Sequence, residues 1–131
     1  CIRDRLCVAV ADVDLFKQVN DRFGHPVGDE VLRRIAAIFL DGVRDGDLVA
    51  RLGGEEFLLA LSGSSVADAR SACDLLRARV AAYPWEQIAD GLAVTISFGI
   101  AESSGADLGL GLADQRLYDA KRAGRNRVHA G

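Results

Sequence analysis

Residues 52–57 read Leu-Gly-Gly-Glu-Glu-Phe, two glycines followed by two adjacent carboxylates, between the short apolar runs 48–52 and 57–61. Gly-Gly permits the positive-φ turn that joins antiparallel strands. Glycine also lets a bulky ligand approach the backbone. The pattern reads as a β-hairpin with acid at its tip. Glu55 and Glu56 repel each other, so folding alone gains little from the pair. A divalent cation would relieve the repulsion and use both oxygens as ligands. The plain alternative is a solvated hairpin tip. A second acidic group, Asp12-Val-Asp14, follows the apolar run 6–11, which reads as a buried strand. Asp12 then stands at the carboxyl end of that strand. With this strand central in a sheet, beside the hairpin, Asp12 comes near Glu55 and Glu56. Three carboxylates at one sheet end suit Mg²⁺ with a phosphate ligand. The alternative for Asp12 is a cap on the following helix, a role that Asp14 fits better.

Phosphate partners are available without a P-loop, whose Gly-x-x-x-x-Gly-Lys-Ser/Thr pattern does not occur. Leu15, Phe16 and Lys17 begin a short helix, and their free N–H groups can face an anion. Lys121 and Arg125 close the last helix. Their alternative role is compensation of the helix dipole, worth roughly 0.3–1 kcal/mol each.

The elements that must position these groups follow from periodicity. Residues 6–11 form a strand, 15–23 a short helix ending near Gly24, and 26–42 a longer helix with Pro26 in its first turn. The hairpin strands are 48–52 and 56–61. Val66, Ala69, Cys73, Leu76 and Val80 mark the inner face of a helix over 66–83, which Pro84 stops. Residues 93–101 alternate like a strand. Leu110, Ala113, Leu117 and Ala120 give a last amphipathic helix closed by Gly124, and 127–129 a final strand. The order β-α-α-β-β-α-β-α-β predicts an α+β fold, a ferredoxin-like, mostly antiparallel five-stranded sheet flanked by helices.

The 131 residues suit one domain, with half of them apolar and 27% charged. A net charge of −3 gives no footprint for nucleic acid or membrane. No apolar run approaches the roughly 20 residues of a membrane span. Cys1, Cys7 and Cys73 have no metal or redox spacing and make an odd number. A reducing cytoplasm is the expected location. The chain opens on Cys1 without Met and is expected to be a fragment of a longer protein.

Four segments together carry a resemblance: Asp12-Val-Asp-Leu-Phe-Lys-Gln-Val-Asn-Asp21, Gly24-His-Pro-Val-Gly-Asp29, Arg51-Leu-Gly-Gly-Glu-Glu-Phe57 and Ala113-Asp-Gln-Arg-Leu-Tyr-Asp-Ala-Lys-Arg-Ala-Gly-Arg-Asn126. In order and spacing they resemble the GGDEF family of diguanylate cyclases, over nearly the whole chain. The resemblance implies a nucleotidyl cyclase-like fold and the condensation of two GTP to cyclic di-GMP and two pyrophosphates. It implies Mg²⁺, or Mn²⁺ in its place, held by Asp12, Glu55 and the Val13 carbonyl. Glu56 would hold a second metal or help remove the ribose 3′-OH proton, and sequence does not separate its role from that of Glu55. Asn20 and Asp29 would read guanine, since a carboxylate accepts from N1–H and N2–H₂. Lys17, Lys121 and Arg125 would neutralise the triphosphate, and Gly54 would lie against substrate. Two such half-sites must face each other to close a symmetric product, which makes a homodimer part of the mechanism.

Arg44 and Asp47 form an Arg-x-x-Asp five residues ahead of Gly53, the place of the family's product-inhibition site. The alternative is a surface ion pair worth about 0–1 kcal/mol. Arg116 and Asp119 repeat the spacing elsewhere. Where some members carry a further product-binding arginine this chain has Leu75, with Arg77 and Arg79 nearby. The family's segment upstream of the first strand, and any sensory or dimerising domain, are missing from the sequence. The alternative function is a GGDEF-type module that binds GTP or cyclic di-GMP without turnover.

Overall fold

Both faces of the first strand are covered, which is why it reads as an unbroken apolar run rather than an alternating one. The computed structural model describes residues 5–104 and 106–131; Cys1, counted above among the thiols, lies outside them. The elements are β1 (Leu6–Val13), α1 (Phe16–Phe23), α2 (His25–Gly42), β2 (Leu48–Arg51), β3 (Glu56–Ser62), α3 (Val66–Ala82), a 3₁₀ turn (Trp85–Gln87), β4 (Ile96–Glu102), α4 (Leu110–Arg122) and β5 (Val128–His129). The sheet order is β2-β3-β1-β4-β5. β1 is central and antiparallel to β3 and β4, β2 is antiparallel to β3, and β4–β5 is the parallel pair. The expected five-stranded, mostly antiparallel α+β sheet is therefore present.

Cys7, Ala9, Ala11 and Val13 of β1 join the main core with Val31, Ile35 and Phe39 of α2 and Ala69, Cys73 and Leu76 of α3. Val8 and Val10 point the other way, to Ala113 and Leu117 of α4. Phe39 stacks edge-on against Phe57 at 5.3 Å and tilted against Phe98 at 5.7 Å, tying α2 to β3 and β4. On the opposite face α4 rides directly on Gly99 of β4. A Cβ there would lie 2.1 Å from the Ala113 carbonyl oxygen and 2.2 Å from the Leu117 nitrogen. That close approach sets the position of α4 and of the cations at its end.

Three expectations need correction. The strand expected over 93–101 begins only at Ile96. The alternation of 92–95 comes from Leu92 and Val94, which are buried without joining a ladder. The helix over 66–83 ends at Ala82, and a 3₁₀ turn follows Pro84, with the Trp85 indole N–H donating to the Val80 carbonyl at 2.7 Å. Asp14 does not cap α1. Leu15 occupies the cap position in the left-handed region, with no side-chain cap, and the Asp14 carboxylate is buried elsewhere. Cys7 and Cys73 are free, buried thiols. Among the described residues no helix is long and apolar enough to cross a membrane.

Candidate active site

The register of β1 against β3 sets Asp12 directly opposite Glu56. One residue further, the Val13 N–H donates to the Glu55 carbonyl at 3.2 Å. The end of β1 is thus fastened to the acidic end of the hairpin. Asp12 is 7% exposed. Its Oδ2 accepts from the Lys121 ammonium, while its Oδ1 is buried without a partner. Burial pushes the Asp12 carboxyl above the usual range, Lys121 opposes the shift by hydrogen bond and charge, and Asp14 adds to it. The Glu55 carboxyl is also pushed up, by burial first and then by the charge of Asp12, with Lys121 opposing and Glu56 adding.

The convergence of three carboxylates is narrower than expected. Among the described residues no three His, Cys, Asp or Glu side chains form a group able to hold a metal ion. Glu56 leans toward the turn, its Oε1 lying 3.8 Å from where a Cβ of Gly53 would be. Asp12, Glu55 and the backbone at Val13 remain. The unpartnered Oδ1 of Asp12 and the all-oxygen donors fit a hard divalent cation.

The turn also differs from the positive-φ type expected. Neither Gly53 nor Gly54 has a positive φ. The ladder closes with the Leu52 N–H donating to the Glu56 carbonyl at 2.9 Å, leaving residues 53–55 as a wider loop. A Cβ on Gly54 would meet nothing within 4 Å. Neither backbone angle nor packing requires glycine there, which leaves open approach from outside as the use of a bare backbone. Arg51 braces the loop by donating to the carbonyls of Gly53 and Gly54. The sequence pattern assigns Arg51 no role, although a cation beside Gly-Gly is a visible signal.

Leu15 at φ 55 turns the chain from β1 into α1, whose Phe16 and Lys17 N–H groups have no intrahelical partner, the Gln18 N–H closing on the Leu15 carbonyl at 3.0 Å. Phe16 is buried and Lys17 exposed, so Phe16 has only its backbone to offer a ligand. Lys121, in the last turn of α4, reaches Asp12. Arg125 lies just beyond, exposed, at φ 64. Asn20 packs against Gly28 of α2. A Cβ on Gly28 would fall 1.9 Å from the Asn20 Oδ1, which is buried without a partner. Asp29, next along, is exposed.

Arg44 and Asp47 lie apart from this cluster and already hold structure. The Arg44 N–H donates to the Asp47 Oδ2 at 3.0 Å, and the Ser62 N–H donates to its Oδ1 at 3.1 Å. The Arg44 guanidinium donates to the Ser62 carbonyl at 3.0 Å and to the Ser64 hydroxyl at 2.8 Å. Both residues line a cavity of about 250 Å³ with Leu75 and Arg79. Leu75 is 65% exposed, and Arg79 is paired with Asp41 at 2.9 Å. Arg77 is engaged elsewhere, with Asp74 and Asn126. Arg116 donates to the Ile100 carbonyl, so the second Arg-x-x-Asp is a packing feature.

Sheet order and helix placement define an α+β domain of the nucleotidyl cyclase-like class. The chain belongs to the diguanylate cyclase GGDEF domain family, whose model matches residues 2–127. It is 44% identical over 126 residues to the diguanylate cyclase DgcP of Pseudomonas aeruginosa, covering 94% of this chain and 19% of that protein. It is 39% identical over 127 residues to DosC of Escherichia coli, covering 94% of this chain and 28% of that one. The chain thus spans under a third of these relatives' length. Among solved structures it superposes with a TM-score of 0.90 on the active GGEEF domain of a diguanylate cyclase from Vibrio cholerae, at 35% identity, covering 98% of this chain and 84% of that one. The GGDEF domain of DgcB from Caulobacter crescentus, in complex with c-di-GMP, gives 0.87 at 34% identity, covering 96% and 77%.

Proposed function

We propose that this domain condenses two GTP into cyclic di-GMP and two pyrophosphates, each subunit of a homodimer presenting one GTP. The observation that carries this is the cluster of Asp12, Glu55 and Lys121 at the end of the central strand, beside the start of α1 and an open Gly-Gly loop. Asp12 and Glu55, with the Val13 carbonyl, would hold Mg²⁺ or Mn²⁺. When bound, the cation lowers the cost of charge on the attacking and leaving oxygens. The N–H groups of Leu15, Phe16 and Lys17, with the Lys17 and Lys121 ammonium groups and the Arg125 guanidinium, bind the triphosphate and orient its α-phosphorus for in-line attack. Glu56, on the loop side, accepts the proton of the ribose 3′-OH or serves a second cation. Asp29 accepts from the N1–H and N2–H₂ of guanine, and the Asn20 amide completes the base edge. The bare backbone at Gly54 lets the sugar approach the loop. GTP as substrate sets the reaction in the cytoplasm.

A loop of this openness presents one nucleotide to a second site rather than enclosing both, so closing the ring needs a two-fold partner. Product feedback acts at Arg44 and Asp47, apart from the loop. The test is turnover of GTP with Mg²⁺, read by chromatography at several protein concentrations. Cyclic di-GMP formation with activity per subunit rising with concentration is the expected result. Binding of GTP without turnover at any concentration would leave a ligand-binding module instead.

A further inference from the structure

We propose that Asp14 is a positioning residue for phosphate binding, holding the two left-handed turns that carry the phosphate-facing groups. The inference rests on the site reading given above. Asp14 is 6% exposed. Its Oδ1 accepts from the Ser97 hydroxyl at 2.7 Å, and its Oδ2 accepts from the Thr95 hydroxyl at 2.7 Å and from the Asn126 N–H at 2.9 Å. Its own N–H donates to the Thr95 carbonyl at 3.0 Å. One buried carboxylate therefore joins the end of β1, the start of β4 and the turn after α4.

The described residues include three non-glycine positions with positive φ: Leu15 at 55°, Arg125 at 64° and Asn126 at 47°. Leu15 is the neighbour of Asp14 in sequence, Asn126 is its hydrogen-bond partner, and Arg125 precedes Asn126. Such conformations persist when their surroundings over-determine them, and they gather at ligand clamps. Here the surroundings are explicit. Asn126 is held from inside by Asp14, and from outside by Arg77, whose guanidinium donates to the Asn126 Oδ1 at 2.9 Å. The Arg125 N–H closes back on the Ala120 carbonyl at 3.0 Å. Asp14 itself is buried and acts through the groups it places: the first N–H groups of α1 on one side and the Arg125 guanidinium on the other.

The probes are guanosine and a GTP analogue with a methylene between the α- and β-phosphorus, which binds without turnover. Asp14→Asn keeps the shape but turns one acceptor into an amide donor. It should weaken the analogue by about 10-fold or more, as loss of a charged, pre-organised partner does, and leave guanosine within about twofold. Arg125→Ala should cost about fivefold or more in the wild type but under about twofold in the Asp14→Asn background, since coupled groups are non-additive. Equal losses for guanosine and analogue, or full additivity with Arg125→Ala, would overturn the proposal. Should Asp14→Asn fail to fold by circular dichroism, Thr95→Val removes one donor to the same carboxylate and should weaken the analogue by about threefold with guanosine unchanged. No selective loss there would overturn it equally. A wild type that binds guanosine but gains nothing from the triphosphate would instead strike the site reading itself.

Discussion

Lys121, in the last turn of α4, donates from its ammonium to Oδ2 of Asp12 at the end of β1, across 109 residues of sequence. The contact sets two demands on one carboxylate, since the proposed cation and the ammonium both draw on Asp12. Lys121→Met should therefore separate them. Affinity for Mn²⁺ without nucleotide, followed by electron paramagnetic resonance, should stay level or rise. The KM for GTP should rise by about 10-fold or more, as loss of a charge-assisted phosphate contact predicts. A parallel fall in metal affinity would mean that Lys121 supports the cation site rather than competing for it.

Asp12→Asn and Glu55→Gln should cut turnover by about 10²–10³-fold without unfolding the domain. Both carboxyls are pushed up by burial and, for Glu55, by Asp12. A raised folded-state value means that the folded protein binds the proton more tightly than the unfolded chain, so the ionised group weighs against folding. For Asp12 this penalty is absent below the ordinary value of 3.8 and grows as pH rises through the raised one. Without divalent metal, the stability of Asp12→Asn relative to wild type should therefore increase from pH 4 toward neutrality. Urea titrations in EDTA across that range provide the check, and an opposite slope would refute the assignment. Mg²⁺ should raise the melting temperature of the wild type but not of either variant.

The corner proposed to read the base makes a separate prediction through Gly28. A methyl group there meets the Asn20 Oδ1 at 1.9 Å, so Gly28→Ala must push the Asn20 side chain away. Alanine favours the helix interior over glycine by about 0.8–1 kcal/mol, which offsets part of the local disturbance. The KM for GTP should rise several-fold, with a smaller change in kcat. Asp29→Ala should raise KM further and narrow the preference for GTP over ATP, because a site built to hydrogen-bond a base rejects one that leaves it unpaired. Steady-state kinetics with both nucleotides tests this, and unchanged GTP/ATP selectivity in Asp29→Ala would remove it from base recognition.

Much of this was legible because local pattern and global fold agree. The run 6–11, the amphipathic helices and the Gly-Gly-Glu-Glu segment each point to their observed element, and central placement of β1 follows from strand order. What was hidden depended on contacts distant in sequence. Asp14 read as a helix cap because Asx residues before helices usually are caps, yet its partners Thr95, Ser97 and Asn126 lie more than 80 residues away. The ordinary backbone angles of Gly53 and Gly54 were masked by the stronger association of Gly-Gly with positive-φ turns. The Ala93 strand start failed because Val94 is buried in coil, and burial pattern alone does not tell coil from ladder. Arg51 carried a visible charge, but its target is a pair of backbone carbonyls that sequence does not display.

Cys73 gives a test of the core between α3 and the sheet. Burial, chiefly, pushes its thiol up from 9.0 to about 12, with smaller contributions from Cys7 and Asp74. Between those values the folded protein keeps a proton that the unfolded chain releases, so stability falls as pH rises. The fall begins near pH 9 and continues toward pH 12. Cys73→Ala should lose that component, and the difference between the two proteins cancels the other groups that titrate there. Denaturant midpoints at pH 8 and 10.5 measure it. The same burial predicts no reaction of Cys73 with a thiol reagent at pH 8 until the protein unfolds.

The cavity at Arg44 and Asp47 sets the last prediction, because its two named residues differ in how much structure they carry. Asp47 accepts from two backbone N–H groups, of Arg44 and Ser62, so Asp47→Ala should cost about 1–3 kcal/mol of stability from unpaired donors. Arg44 is exposed, forms an ion pair with Asp47 and donates to the Ser62 carbonyl and the Ser64 hydroxyl, so Arg44→Ala should cost about 1 kcal/mol or less. Arg44→Ala is therefore the cleaner probe of feedback. Cyclic di-GMP should inhibit the wild type non-competitively with GTP, since the cavity stands apart from the loop, and Arg44→Ala should relieve inhibition with uninhibited turnover largely kept. Leu75 projects at the cavity rim, 65% exposed, where a second guanidinium would find room. Leu75→Arg adds a fork able to take a phosphate or the O6/N7 edge of guanine, and should tighten inhibition by about 10-fold, worth some 1.4 kcal/mol. Initial rates against added cyclic di-GMP for the three proteins decide the matter. Superimposable inhibition curves would return Arg44 and Asp47 to the role of a turn brace.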